Sequence, residues 1–138
     1  MTTHFVSTQQ IEGMTLKSTL PDGEVMLDVP ISEGGNGNGI KPKPLMLTSL
    51  TGCTALDVVS LLKKMKIEYD HFEVTASAEL SEEHPKHYLS VSIEYQFKGT
   101  DLNKERIERA VDLSFNKYCG VIYMFKQFTE VNYKITYL

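Results

Sequence analysis

The sequence predicts an α+β fold with a mostly antiparallel sheet, and three features carry that prediction. Residues near both ends and in the middle of the chain alternate apolar and polar, as half-buried strands do. One long segment is apolar around most of a helical circumference, and a shorter amphipathic helix precedes the closing strand. The implied order is strands, long helix, two strands, helix, strand. With 138 residues, residues 1–138 are expected to form one domain. A domain of this size buries roughly two-thirds of the surface its unfolded chain exposes, so it needs no disulfide or metal to fold.

His4 to Gln10 reads as a first strand. Met14, Leu16 and Ser18 then alternate with Thr15, Lys17 and Thr19. Pro21-Asp22-Gly23 supplies a turn, with φ preset by Pro and positive φ open to Gly. Val25, Leu27 and Val29 alternate again, which predicts a hairpin. Ser32 to Gly39 is a loop by composition. It lacks the GxxxxGK[ST] and GxGxxG phosphate-binding patterns and reads as a flexible connection.

Pro42 and Pro44 open the long helix, because Pro fits a first turn whose N–H groups are unpaired anyway. From Leu45 to Met65 apolar residues, Leu47, Leu50, Leu56, Val59 and Leu62 among them, occupy most of the circumference, with Lys63, Lys64 and Lys66 solvated at the far end. That pattern predicts a central, buried helix. Gly52 within it costs about 1 kcal/mol relative to Ala, which suggests a close neighbour against the backbone beside Cys53.

Phe72, Val74, Ala76, Ala78 and Leu80, then Leu89, Val91, Ile93, Tyr95 and Phe97, mark two further strands. Between them lie His84 and His87. Pro85 interrupts any helical face there and no third ligand is nearby, so a solvated hairpin loop is expected and not a metal site. Asn103 caps an amphipathic helix running to Lys117, with Ile107, Ala110, Val111 and Ser114 on one face. A short helix over Val121 to Phe128 and a strand through Val131, Tyr133, Ile135 and Tyr137 close the chain.

The formal net charge is -4 and the only arginines are Arg106 and Arg109, so no basic stripe is available for nucleic acid. No uninterrupted apolar run reaches the roughly 18 residues that a bilayer span requires, so no membrane is expected. The N-terminus, Met1-Thr2-Thr3-His4, carries no signal segment, which makes the cytoplasm the default. There the two cysteines are expected as reduced thiols. No cofactor is expected.

Cys53 and Cys119 are the candidates for chemistry, the alternative being small buried hydrophobes. Their separation excludes a CxxC redox or zinc spacing. Cys53 lies mid-way along the long helix, too deep for the helix dipole to act on it. Its same-face neighbours Ser49, Leu50, Leu56 and Asp57 include no cation. An ionised Asp57 opposes thiolate formation at Cys53; Asp57 could instead accept the thiol proton as a base, or serve as a structural hydrogen-bonding group. If Val121 to Phe128 is helical, Cys119 stands at its N-terminus, where free N–H groups favour a thiolate.

The run Gly39-Ile40-Lys41-Pro42 through Leu50-Thr51-Gly52-Cys53-Thr54-Ala55-Leu56-Asp57-Val58-Val59 resembles the central-helix motif of the OsmC/Ohr proteins, the osmotically inducible and organic hydroperoxide resistance proteins. Ala110-Val111-Asp112-Leu113-Ser114 followed by Lys117-Tyr118-Cys119 resembles their second cysteine motif, and the match is nearest to the YhfA-like branch. The resemblance implies an OsmC-like fold and an intertwined homodimer with two sites at the subunit interface. It also implies thiol-dependent reduction of apolar organic hydroperoxides. In that scheme Cys53 attacks and becomes a sulfenic acid, Cys119 resolves it to a disulfide, and an external dithiol restores the pair.

The chain departs from the peroxidase members at two places. Where they resemble one another in a glutamate near the start of the central helix, this sequence has Lys43 and Pro44. Where they use an arginine from the N-terminal strands, no arginine precedes Arg106, and Lys17, the substitute at hand, lacks the planar fork of a guanidinium. The departures favour a second expectation, a non-catalytic binding or sensing module with an apolar pocket at the dimer interface.

Overall fold

Two turns, one at Gly13 with φ of 58° and one at Pro21-Asp22, fold the first three strands onto one another. β1 (Ser7–Glu12), β2 (Thr15–Leu20) and β3 (Gly23–Leu27) form an antiparallel sheet in that order. The first strand thus begins and ends later than the alternation from His4 suggests. The computed structural model describes residues 1–138, which divide into two compact units, Met1–Met46 and Leu47–Leu138.

In the first unit the glycine-rich loop is not a slack connector. The buried carboxylate of Asp28, just past β3, accepts from the backbone N–H groups of Val29 (2.7 Å), Asn36 (3.3 Å) and Asn38 (3.0 Å) and from the Thr15 hydroxyl (2.7 Å). The loop wraps this one anion. A Cβ at Gly35 would stand 2.1 Å from the Val29 carbonyl oxygen, and one at Gly39 2.5 Å from that of Met26, so both positions require the missing side chain. The composition that reads as flexibility is in fact what lets the backbone pass this close. The Thr15 hydrogen bond, aided by those from Asn38, Val29 and Asn36, outweighs burial and holds Asp28 below the usual carboxylate range.

α1 (Pro42–Lys64) begins in the first unit and continues into the second. Only one row of it is buried: Leu50, Thr54, Val58 and Leu62, spaced i, i+4. Leu56 is 73% exposed, and a Cβ at Gly52 would meet nothing within 4 Å. Both findings correct the reading of a helix buried on all sides with a close neighbour at Gly52. Periodicity reports that a helix is apolar all round and not what covers each face. α1 also has the length and composition of a membrane-crossing helix, 23 residues with a mean hydropathy of 1.7 in its best window. The sequence reading missed this because Thr, Ser and Gly break the run without lowering the mean. Its buried row instead joins the core of the second unit.

That core lies against a sheet of β4 (His71–Leu80), β5 (Tyr88–Lys98) and β6 (Glu130–Tyr137), with β5 in the centre. β4 and β5 are antiparallel, but β6 runs parallel to β5. The reason is the connection: α2 (Lys104–Leu113) and α3 (Gly120–Lys126) lie between β5 and β6 and make the long crossover that a parallel pair requires. Val91, Ile93, Tyr95 and Phe97 of β5 face Leu50, Val58, Leu62, Ile107, Val111 and Ile122 in one apolar cluster. A bulge between Glu79 and Leu80 alters the β4–β5 register there, so Tyr88 is buried while Leu80 and Leu89 are exposed. In the β4–β5 loop His87 is held by its own turn, its Nδ1 lying 2.7 Å from the Pro85 carbonyl oxygen and 3.2 Å from Ser81 Oγ.

Asn103 caps α2 by accepting from the Arg106 N–H at 3.2 Å. The helix does not run unbroken to Lys117. At Ser114–Tyr118 it widens into one π-helical turn, closed by Cys119 N–H donating to the Ser114 carbonyl at 2.9 Å. Cys119 itself is extended and starts α3.

Candidate functional site

Within the second unit α1 carries Cys53 and Asp57 one turn apart, on the half-buried row beside its buried one. The π-helical turn ends by pointing Cys119 at them. The sulfurs of Cys53 and Cys119 and a carboxylate oxygen of Asp57 all lie within 4.8 Å of one another. Two thiols far apart in sequence thus share one site with a carboxylate. Both cysteines are free, Cys53 half-buried and Cys119 buried.

Cys119 does cap α3 as its position suggests, its sulfur accepting from the Ile122 N–H at 3.4 Å. The expected ease of ionisation does not follow. Burial pushes the Cys119 thiol up to about 12, the Ile122 N–H only partly opposes this, and the neighbouring Cys53 thiol adds to the rise. One weak N–H···S bond at the start of a seven-residue helix does not offset desolvation of an anion.

Beneath the thiols runs a chain of buried hydroxyls that sequence reasoning did not assign to the site. Thr54 Oγ1 lies 2.7 Å from both Tyr95 Oη and Ser114 Oγ, and Ser114 Oγ lies 3.0 Å from Asp57 Oδ2. Each hydroxyl has one proton to give, and a carboxylate only accepts. With Asp57 ionised, Ser114 donates to Asp57, Thr54 to Ser114, and Tyr95 to Thr54. The direction of the whole chain is set by the charge at its end. Burial, first of all, holds the Tyr95 hydroxyl protonated far above the usual tyrosine range. The sequence does contain a signal for this chain: Thr54 stands between Leu50 and Val58 on an otherwise apolar row, and Ser114 lies on the buried face after Ala110 and Val111. Polar groups on buried rows must find partners.

Arg106 donates to the Met65 carbonyl oxygen at 3.1 Å and Arg109 is exposed. In the first unit Lys17 sits 3.8 Å from Glu24 across the β2–β3 hairpin. On the outer side of Asp57 a groove is lined by Asp57, Ser60, Leu61, Lys64 and Tyr118. Apolar and aromatic side chains are exposed on this unit as well, Leu56, Val59, Tyr118, Tyr123, Met124 and Phe128 among them.

The family model of the OsmC-like proteins matches residues 35–134. Protein YhfA of Escherichia coli (strain K12) is 31% identical over 126 residues, which cover 89% of this chain and 90% of that protein. A hypothetical protein from Aquifex aeolicus VF5 has a similar crystal structure, with a TM-score of 0.82, 27% identity and coverage of 100% of this chain and 99% of that chain. OhrB, the organic hydroperoxide resistance protein of Bacillus subtilis, shares the fold at a TM-score of 0.66 and 18% identity, over 97% of this chain and 98% of that chain.

Proposed function

Because the chain belongs to the OsmC-like family, we propose that it is a stress-related redox protein whose Cys53 and Cys119 reduce organic hydroperoxides. Cys53 attacks the peroxide and Cys119 converts the resulting sulfenic acid to a disulfide, which an external dithiol reduces. The observation that carries this reading is the approach of the two sulfurs to within 4.8 Å. The division of labour follows exposure: Cys53 is half-buried and reachable by a small apolar substrate, whereas Cys119 is 4% exposed and serves a partner already in the site.

In this reading residues 1–138 act as one OsmC-like domain, in the cytoplasm, as a homodimer. The open apolar row of α1 around Leu56 and Val59 supports the dimer, since a soluble chain seldom leaves so much aliphatic surface on one helix unpartnered. A second reading, a binding or sensing module without turnover, draws on one specific observation: neither arginine lies at the thiols, and Lys43 and Pro44 occupy the start of α1.

Mass spectrometry separates the two readings. Reduced protein treated with one equivalent of an organic hydroperoxide is expected to lose two hydrogens within seconds, with peptides joined through Cys53 and Cys119. An unchanged mass after an hour leaves the binding module.

A further inference from the structure

We propose that Asp57 is the proton carrier of the thiol site, taking the proton from each sulfur as it attacks and passing it to the departing oxygen, with Ser114, Thr54 and Tyr95 as positioning residues that hold the carboxylate for this task. The proposal deepens the redox reading and takes its oxidant, an organic hydroperoxide, from it.

Three observations lead there. First, one carboxylate oxygen of Asp57 lies within 4.8 Å of both sulfurs, near enough for one bridging water to carry a proton between it and either the attacking or the resolving thiol. Second, the site needs a proton acceptor. No arginine or lysine bonds to either sulfur, and Cys119, buried and pushed up to about 12, is protonated in nearly all molecules at neutral pH. A sulfur that must attack while protonated has to lose that proton during the attack, and Asp57 is the base beside it. Third, the hydroxyl chain sits where it would orient that base. Thr54, Ser114 and Tyr95 are fully buried, and with Asp57 ionised their protons all run toward Asp57 Oδ2. When Asp57 takes up a proton, Ser114 can turn its own to the Thr54 carbonyl oxygen at 3.4 Å, so the chain accommodates both states. The groups facing Asp57 are Cys53 and Lys64 from its own helix, Ser114 and Tyr118 from the π-helical turn, Cys119 beyond it, and Tyr95 from β5 through Thr54. None is a second carboxylate that would compete for the proton.

The steps balance. In the first, the Cys53 proton passes to Asp57 as its sulfur bonds to the distal peroxide oxygen. The O–O bond breaks, the alkoxide takes the proton back from Asp57 and leaves as the alcohol, and Cys53 is a sulfenic acid, oxidised by two electrons. In the second, the Cys119 proton passes to Asp57 as its sulfur attacks that of Cys53. The S–S bond forms, the S–O bond breaks, and the departing hydroxide takes the proton and leaves as water. Asp57 ends each step as a carboxylate.

The carrier is tested first without peroxide, and a second measurement with an organic hydroperoxide separates it from the redox reading. The reduced full-length protein is mixed with 5,5′-dithiobis(2-nitrobenzoate), and the rate of thiol exchange is followed against pH for wild type, Asp57→Asn, Asp57→Glu and Ser114→Ala. A proton carrier predicts that Asp57→Asn is slower at pH 7 by about a hundredfold, the lower end of what general acid–base catalysis contributes, and that Asp57→Glu recovers part of the loss. If Asp57 were only a negative neighbour, its removal would ease thiolate formation, so an unchanged or faster Asp57→Asn overturns the proposal. Ser114→Ala, which keeps the carboxylate, is expected to move the pH profile. A loss of stability with the profile unmoved would assign Ser114 to structure alone and remove the positioning claim; this variant also serves should Asp57→Asn fail to fold. A wild type that exchanges through Asp57 but never forms the disulfide with peroxide removes the hydroperoxide reading and leaves the carrier. Peroxide-driven disulfide formation as fast in Asp57→Asn as in wild type removes the carrier alone.

Discussion

Ser114 Oγ donates to Asp57 Oδ2 at 3.0 Å, tying the π-helical turn after α2 to the middle of α1 at the level of the thiols. The same turn closes on the Cys119 N–H and brings Cys119 to the site. One local irregularity therefore sets both the carboxylate and the second sulfur. A π-helical turn offsets the helix by one residue, and such turns recur at functional sites.

The centre of the hydroxyl chain should be worth more than its end. Tyr95→Phe removes one buried hydrogen bond but leaves Thr54 bonded to Ser114. Its expected cost is about 0.5–1.5 kcal/mol. Thr54→Val leaves the buried Tyr95 hydroxyl unsatisfied, at about 1–3 kcal/mol, and also takes one bond from Ser114, which keeps Asp57. Urea unfolding is expected to rank Thr54→Val as the more costly; equal costs would mean that water enters and replaces Thr54.

The buried Cys119 makes the fold alkali-sensitive. Its thiol is raised from an ordinary 9.0 to about 12, chiefly by burial, so the folded state favours the protonated form. The sign follows: this contribution to stability is complete below about pH 9 and is lost as pH rises through the folded value. Burial raises Tyr88, Tyr95, Tyr133 and Tyr137 in the same direction. Stability measured between pH 8 and 11 should therefore fall for wild type, and less steeply for Cys119→Ala. Parallel curves for the two would show that Cys119 is not desolvated.

How much of this was legible follows from the range of each signal. The alternation of Phe72 to Ala78 and of Val91 to Phe97 records a one-sided sheet directly, and the Asn103 cap is local, so strands and α2 could be read. The exposure of Leu56 could not be, because an apolar residue looks the same whether a core, a partner or water covers it. Cys119 shows the same limit. Its cap depends on three residues, but its burial depends on α1 and on the helices packed around it, and burial dominates. The Asp28 loop was misread for a related reason: one anion gathering backbone N–H groups from Val29, Asn36 and Asn38 leaves no periodic trace.

That loop should respond to acid. Asp28 is held below its ordinary 3.8, first by the Thr15 hydroxyl, so its contribution is present above 3.8 and disappears as pH falls through the lower folded value. Asp28→Asn keeps one acceptor but loses the charge. It is expected to loosen residues 34–39, seen as faster amide exchange at Asn36 and Asn38 near pH 7, and to flatten the acid limb of unfolding. Unaltered exchange in the variant would show that the loop stands without its anion.

Leu62 and Leu56 test which faces of α1 are covered. Leu62 is fully buried, and Leu62→Ala is expected to cost about 2–5 kcal/mol. Leu56 is 73% exposed within the chain. If the homodimer covers it, Leu56→Lys should leave a folded monomer by sedimentation velocity at micromolar concentration. A variant that stays dimeric places the interface elsewhere.

Two glycines give opposite expectations under the same substitution. Alanine lowers the entropy of the unfolded chain by a similar amount at any glycine, about 0.4–1 kcal/mol of stabilisation where the native backbone accepts it. At Gly39 the new Cβ would sit 2.5 Å from the Met26 carbonyl oxygen and 2.7 Å from the Leu27 carbonyl carbon, and backbone cannot swing aside. Gly39→Ala is expected to cost about 1–3 kcal/mol net, as overpacking does. At Gly52 a Cβ meets nothing within 4 Å, and the position is mid-helix, so Gly52→Ala is expected to gain up to about 1 kcal/mol. Urea midpoints of the two variants read both signs in one experiment. A loss at Gly52 would mean that a second copy of the chain packs where this one leaves open space, beside Cys53.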